Sequence, residues 1–343
     1  MTSETNPSDT QPADEEVTPP PDTLFCIYDF SVAPITYDVL QFLAICEAAR
    51  HEAQLPKFHF LLFQEQDGSF RNLSKATDKD KFLTDDQKLW RKHHITEPTV
   101  NLVRSLDAVT SFSSREDARR FIESLPKSRV IPGTYTFEKP ASLHVMTHVH
   151  HAIAQGYPVR GLHAPVNAKR TIQRFITNHP NGNRPIVTLT IRSSPVHPER
   201  NANLDAWMQF AHYLEERGYW PIAIPDTDIV TSERHEKLDP RATWYLPASL
   251  RPELRAALYE QSFLNMSCGG GPAFINLFLQ SPRYLMIFKD YGGSISSKAV
   301  FEHLWGIPWG GPHKFDDGVK FVWQNDSFEN LCASFQSMLE VIQ

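Results

Sequence analysis

Cysteine is scarce in this chain. There are four in 343 residues, Cys26, Cys46, Cys268 and Cys332, and none forms a C-x-x-C pair. Their spacing suits neither a zinc site nor a disulfide framework. All four lie in apolar segments, where a free thiol packs as a small hydrophobe, so a reducing, cytoplasmic compartment is expected. Positive charge is lacking too. A formal net charge of −6 argues against general affinity for nucleic acid, which needs a basic surface. No apolar run approaches the roughly 18 residues of a membrane-spanning helix. The stretch before Asp22 is polar, acidic and proline-rich. It lacks the basic start and apolar middle of a signal peptide and is expected to be a disordered tail. Glycine is sparse, at 15 residues, yet Gly269, Gly270 and Gly271 stand in a row. No lysine of the G-x-x-x-x-G-K-[ST] type follows them, and no G-x-G-x-x-G follows the first strand. A P-loop ATPase and an ordinary dinucleotide domain are both disfavoured.

What is present is an alternation of periods. Hydrophobic residues make up 41% of the chain, enough for one large domain or two ordinary ones. Short apolar runs at 23–30, 57–63 and 107–112 predict buried strands. Helices are predicted over 34–53, with Pro34 in the first turn, over 114–125 with Ser114 as N-cap, and over 142–156, stopped by Gly156 and Pro158. The turn-rich stretch around "NHPNGNRP" (178–185) then predicts a hinge within 166–184. A cleaner alternation follows: strands at 185–192, 220–226, 263–267, 283–288 and 320–323, helices at 203–218, 251–262, 272–281 and 327–343. The expected fold is α/β, with two Rossmann-like domains (23–165 and 185–343) facing a cleft.

Ligands of such sheets bind outside the carboxyl ends of the strands, so the residues just after each strand are the informative ones. Arg192 ends an apolar strand and offers a fork of donors suited to phosphate or carboxylate. Arg200, Asn201 and Asn203 follow in the same loop; Asn203 also fits an N-cap, with Asp205 in the first turn. Asp226, with Asp228 behind it, could hold a ribose or sugar hydroxyl, or simply start a turn. Ser267, Gly269, Gly270, Gly271, Pro272 and Ala273 form a strand–loop–helix junction. Pro272 suits the first helical position, and bare glycines would let an anion approach the N–H groups of a helix start. The alternative is a tight turn with close helix–strand packing. Tyr28 and Asp29 end the first strand, so Asp29 is the candidate general base, or else a brace for the loop before Pro34; Asp38 is a second carboxylate on the helix. His144 and His148 are four apart, with His150 and His151 beside them, but no H-E-x-x-H accompanies them, and no metal site is expected. Trp305 and Trp309 lie among glycines and prolines, on a loop that could stack on a sugar or base, or pack over a sheet edge.

The strand-end Arg192 and the run "SCGGGPAF" (267–274) resemble the GT-B glycosyltransferases, in a heptosyltransferase-like or fucosyltransferase-like layout. The resemblance covers 185–343 by layout and 23–184 by βα alternation. It implies a nucleotide-sugar donor held by the C-terminal domain, a glycan or lipid-linked acceptor, and no cofactor. The H-x-R-R motif of the fucosyltransferases is not present, since Thr190 stands two before Arg192. No clear E-x-x-x-x-x-x-E motif of retaining members is present either. Donor and stereochemistry stay open, and a sugar-nucleotide hydrolase or epimerase, or a non-catalytic nucleotide- or glycan-binding protein, fits the same scaffold.

Overall fold

The computed structural model describes residues 19–64, 70–71, 83–194, 197–231, 238–239, 242–290, 297–316 and 318–342. Most of the expected N-terminal tail, and the side chain of Asp228, lie outside them.

Two separate parallel sheets form, one in each half. The first contains β1 (Thr23–Asp29), β2 (Lys57–Phe63), β3 (Leu106–Ser111) and β4 (Val130–Ile131), in the order β3-β2-β1-β4. The second contains β5 (Ile186–Thr190), β6 (Trp220–Ile224), β7 (Thr243–Trp244), β8 (Leu264–Cys268), β9 (Tyr284–Ile287) and β10 (Val319–Val322), in the order β10-β9-β8-β5-β6-β7. This is the doubly wound order, whose direction reverses between β5 and β8. The two-residue strands β4 and β7 are too short to leave a periodic signal, and the sequence did not reveal them.

Side chains alternate across a strand, and the alternation sorts the core into three layers. Phe25 and Ile27 of β1 pack outward with Ala118 and Ile122, under the helix Arg115–Glu123. On the other face Cys26, Tyr28, Phe58 and Phe60 join Ile222, Ile224, Tyr284 and Met286 in one core shared by both halves. The outer face of the second sheet, with Val187, Leu189, Met266 and Leu285, is covered by the helices Leu204–Glu216 and Phe328–Ile342.

Several boundaries differ from expectation. The first helix is Val39–Glu52, so 34–38 is a loop and Asp38 stands at the N-cap position. The third helix begins at Met146, which leaves His144 outside it. His144 instead accompanies Ser142 (2.9 Å), and no helical His144–His148 face exists. Trp305 ends a helix, Lys298–Trp305, rather than lying in a loop. The segment expected as a hinge carries the helix Val166–Thr177. Its Phe175 packs on Trp220 and Tyr245 of the second half, and His179 stacks on Trp220 at 4.2 Å. Ser114 caps its helix as predicted, accepting from the Asp117 N–H. Among the described residues no helix is long and apolar enough to cross a membrane.

Candidate functional site

Two neighbouring cavities lie between the halves, at the carboxyl ends of the second sheet's strands. The first, of about 250 Å³, sits where the strand order reverses, among Arg192, Asp226, Arg255 and Gly270 of the second half and Tyr37, Asp38 and Arg91 of the first. The second, of about 260 Å³, has Arg200, Lys289, Phe288, Trp305 and Trp309 on one side and His144 and Gln41 on the other. Asp38 and Gly271 border both.

Arg192 reaches the first cavity by strand parity. Ile186, Thr188, Thr190 and Arg192 occupy alternate positions, and the first three point to the shared inner core or its polar floor. Its Nη1 donates to the Asn201 side chain and to the His197 carbonyl (3.3 Å). Asn201 further ties the loop by accepting from the Ser194 N–H and donating to its carbonyl, both at 2.9 Å. Arg200, on the far side of the glycines, donates to the Gly269 carbonyl (3.4 Å). Burial first, then the charge of Arg192, pushes its guanidinium down to about 10. Two arginines thus straddle the Gly269–Gly271 loop, a local concentration of positive charge that favours an anion between them.

None of the three glycines has a positive φ, so none is there to make a left-handed turn. Gly270 is extended and borders the cavity; a Cβ on it would come no nearer than 3.7 Å to any atom, with the Arg192 Cδ at 3.8 Å. Gly271 is bare for another reason: its Cβ would stand 3.1 Å from the Tyr37 Cβ, where the first half closes on the second.

The expected helix after the glycines is only a 3₁₀ turn, Gly271–Phe274, and one α-turn, Ile275–Phe278. So short a run carries little dipole. The Ala273 N–H donates to the Gly270 carbonyl, and Pro272 has none, so the picture of helix N–H groups aimed at a ligand does not hold here.

Asp29, Tyr28, Ser267 and Asn203 line neither cavity, and two of them take the alternative roles the sequence offered: Asp29 braces the loop that follows it and Asn203 caps its helix. Asp29 falls on the odd-numbered, outward face of β1, away from both cavities. Its buried carboxylate accepts from Arg115 (2.9 and 3.0 Å), the Tyr135 hydroxyl (2.7 Å) and the Ser31 N–H (2.9 Å). Tyr28 donates to the Pro34 carbonyl inside the core. Ser267 is buried against the Tyr284 hydroxyl at 2.6 Å. Asn203 caps its helix, accepting from the Ala206 N–H, while its own N–H donates to Asp326.

Two carboxylates meet the cleft: Asp226 borders the first cavity, and Asp38 borders both. The Asp38 side chain makes no cap bond to its own helix and accepts instead from Thr36 Oγ1 (2.7 Å) and Gln41 (3.3 Å). It also bears on Arg200, whose charge it supports.

No sequence-family model matches the chain, and no curated protein is similar to it in sequence. Solved structures are similar. Glycosyl transferase family 9 from Veillonella parvula superposes with a TM-score of 0.55 at 11% identity, over 92% of this chain and 97% of that one. The ADP-heptose LPS heptosyltransferase II of E. coli does so with 0.51 at 10% identity, over 93% and 98%. The fold is GT-B.

Within this GT-B frame, sequence reasoning missed Tyr37, Arg91, Arg255 and Lys289. Arg255 lies in the helix Pro252–Gln261. Its charge among apolar neighbours was the available signal, because a fully buried arginine is rare. Lys289 stands two residues beyond the end of β9 and pairs with Asp326 at 2.8 Å. Arg91 comes from the helix Asp85–Arg91, and nothing local marks it as facing the other half. Trp305 packs on Phe301 and Phe288, and both tryptophans line the second cavity.

Proposed function

We propose that this chain is a glycosyltransferase that moves a sugar from a nucleotide-activated donor to a hydroxyl of a glycan or glycan precursor. One observation carries the reading: a cavity at the strand-order reversal of a GT-B fold, bordered by guanidinium groups from both halves, with a carboxylate, Asp38, at its junction with a second, aromatic-walled cavity. The donor diphosphate suits the side of Arg192, Arg91 and Gly270, because planar guanidinium groups match phosphate oxygens. The acceptor suits the second cavity, where aromatic rings offer faces to a sugar. In the reaction the acceptor oxygen bonds to the anomeric carbon, the bond from that carbon to the diphosphate oxygen breaks, and the nucleoside diphosphate leaves. Asp38 takes the acceptor's proton. In this proposal the arginines, rather than a metal ion, balance the leaving group's charge. All four cysteines are unpaired, which suits a cytoplasmic protein.

The test is a panel of ADP-, UDP- and GDP-sugars, followed by thermal shift and by nucleotide release. Release that requires an acceptor supports transfer; release in water alone makes the chain a hydrolase. Arg192→Ala should weaken the best nucleotide-sugar by about ten- to a hundredfold, since a charge-assisted bond is worth roughly 1.5–3 kcal/mol. If no member of the panel binds, the reading fails.

A further inference from the structure

The floor of the first cavity holds two buried donors that have no partner among the described residues. Tyr37 is 4% exposed and Arg255 is fully buried, and both line the cavity. The Tyr37 hydroxyl and Arg255 Nη2 make no hydrogen bond. The rest of Arg255 is fixed: Nε donates to the Ala248 carbonyl (2.8 Å), and Nη1 donates to the Tyr259 hydroxyl (3.1 Å). Tyr259 in turn is hydrogen-bonded to Thr190 at 2.7 Å. The guanidinium is therefore held by two of its nitrogens with the third left over. The two groups are also near each other. Burial drives the Tyr37 phenol up to about 12, and Arg255 is the strongest charge opposing that rise, ahead of Arg91.

Unpaired buried donors are costly and rare. Polar side chains could have been replaced by apolar ones of the same shape at little cost, as Phe for Tyr. Their retention at the floor of one cavity is explained by a ligand that supplies the missing acceptor. Tyr37 comes from the first half, beside Gly271, and Arg255 from the second. An acceptor placed between them is gripped by both halves at once. Tyr37 also immediately precedes Asp38, so whatever the tyrosine holds sets the position of that carboxylate.

We propose that the Tyr37 hydroxyl and Arg255 Nη2 jointly bind oxygens of the ligand's diphosphate, so that the nucleotide itself fastens the two halves together and brings Asp38 into register. This rests on the donor reading above. A diphosphate is the occupant of choice because it is anionic, presents several acceptor oxygens close together, and enters a cavity already bordered by Arg192 and Arg91.

Tyr37→Phe is the decisive variant, because it removes one oxygen and keeps the ring against Gly271. With no partner lost, the ligand-free variant should melt at or above the wild-type temperature. Calorimetry with ADP, UDP and GDP, with inorganic pyrophosphate, and with the nucleosides adenosine, uridine and guanosine then reads the contact. The nucleoside diphosphate that binds wild type best, and pyrophosphate, should bind the variant about three- to tenfold more weakly, the scale of one net hydrogen bond. The nucleosides should bind both proteins equally. Arg255→Lys, which keeps the charge and loses the fork, should weaken the same two ligands. A Tyr37→Phe protein that binds nucleoside diphosphate like wild type overturns the proposal and leaves the donor reading standing. A penalty confined to nucleosides also overturns it, since the pair then holds the base. If no probe binds wild type, the donor reading falls and this inference falls with it.

Discussion

Asp29 and Asp38 are nine residues apart, and their replacement by asparagine should have opposite consequences. Asp29 is fully buried and accepts a two-pronged contact from Arg115, whose side chain is 14% exposed, together with the Tyr135 hydroxyl and the Ser31 N–H. Asparagine keeps one acceptor oxygen but puts an N–H₂ group against a guanidinium, so the Asp29–Arg115 ion pair is lost. Removing one partner of a buried ion pair costs about 3–5 kcal/mol. Melting temperature falls by roughly 2–4 °C per kcal/mol for chains of 150–250 residues, and the lower figure suits a longer one. Asp29→Asn should thus melt about 6–10 °C below wild type, while nucleotide affinity of the folded fraction stays unchanged. Asp38 is only partly buried, and among the described residues its side chain accepts bonds from Thr36 and Gln41 and faces the charge of the part-buried Arg200. Asp38→Asn should melt within about 2 °C of wild type, because surface-type substitutions stay within roughly 0.5 kcal/mol. Its turnover should fall by about 10²- to 10⁴-fold, the usual contribution of a general base. Differential scanning fluorimetry and nucleotide-release kinetics on both variants decide the matter. An Asp29→Asn protein that melts normally but has lost turnover, beside a fully active Asp38→Asn, would refute the assignment.

The glycine loop supplies a paired test. Gly270→Val should fold normally, since its backbone is extended and its Cβ has room, yet lose nucleotide binding because the side chain enters the cavity beside Arg192. Gly271→Ala should instead lower the melting temperature, because its methyl would press on the Tyr37 Cβ, an atom too close to the backbone to swing away. Equal behaviour of the two in melting and calorimetry would contradict both assignments. A third prediction concerns acid. Burial of Asp326 would raise its pKa, but Lys289, the Asn203 N–H and the Trp207 indole outweigh it and hold the carboxyl below the ordinary range. A depressed folded pKa means that the unfolded chain binds the proton first. The stability from Asp326 is therefore complete above about pH 4 and is lost as pH falls through the folded value. Urea melts from pH 6 down to pH 3 should show that loss in wild type and a smaller one in Asp326→Asn, which should already be weakened by about 3–5 kcal/mol at pH 6. A wild-type stability flat to pH 3 would show that the Lys289–Asp326 pair contributes little.

Local pattern decided much of this protein. The run 23–29 and the run 186–190 are apolar over a strand's length, and "NLDAWMQFAHYLEERG" carries the spacing of a helix with its cap in front. Those signals depend on neighbours a few residues away, so the βα order, the two halves and the cleft-facing Arg192 could be read without coordinates. The face that each strand end presents could not. Asp29 and Tyr28 both end β1, and the parity of a strand says only that they point opposite ways; which side becomes cleft and which becomes core depends on where the helix 115–123 and the second sheet dock. The glycines show the same limit. Their bareness was visible, but the close approach of Tyr37 to Gly271 joins residues 234 positions apart in the chain. Arg255 and Arg91 were invisible for that reason as well: each sits on a helix whose own sequence accounts for the helix, and only the packing of one half on the other aims them at a shared cavity.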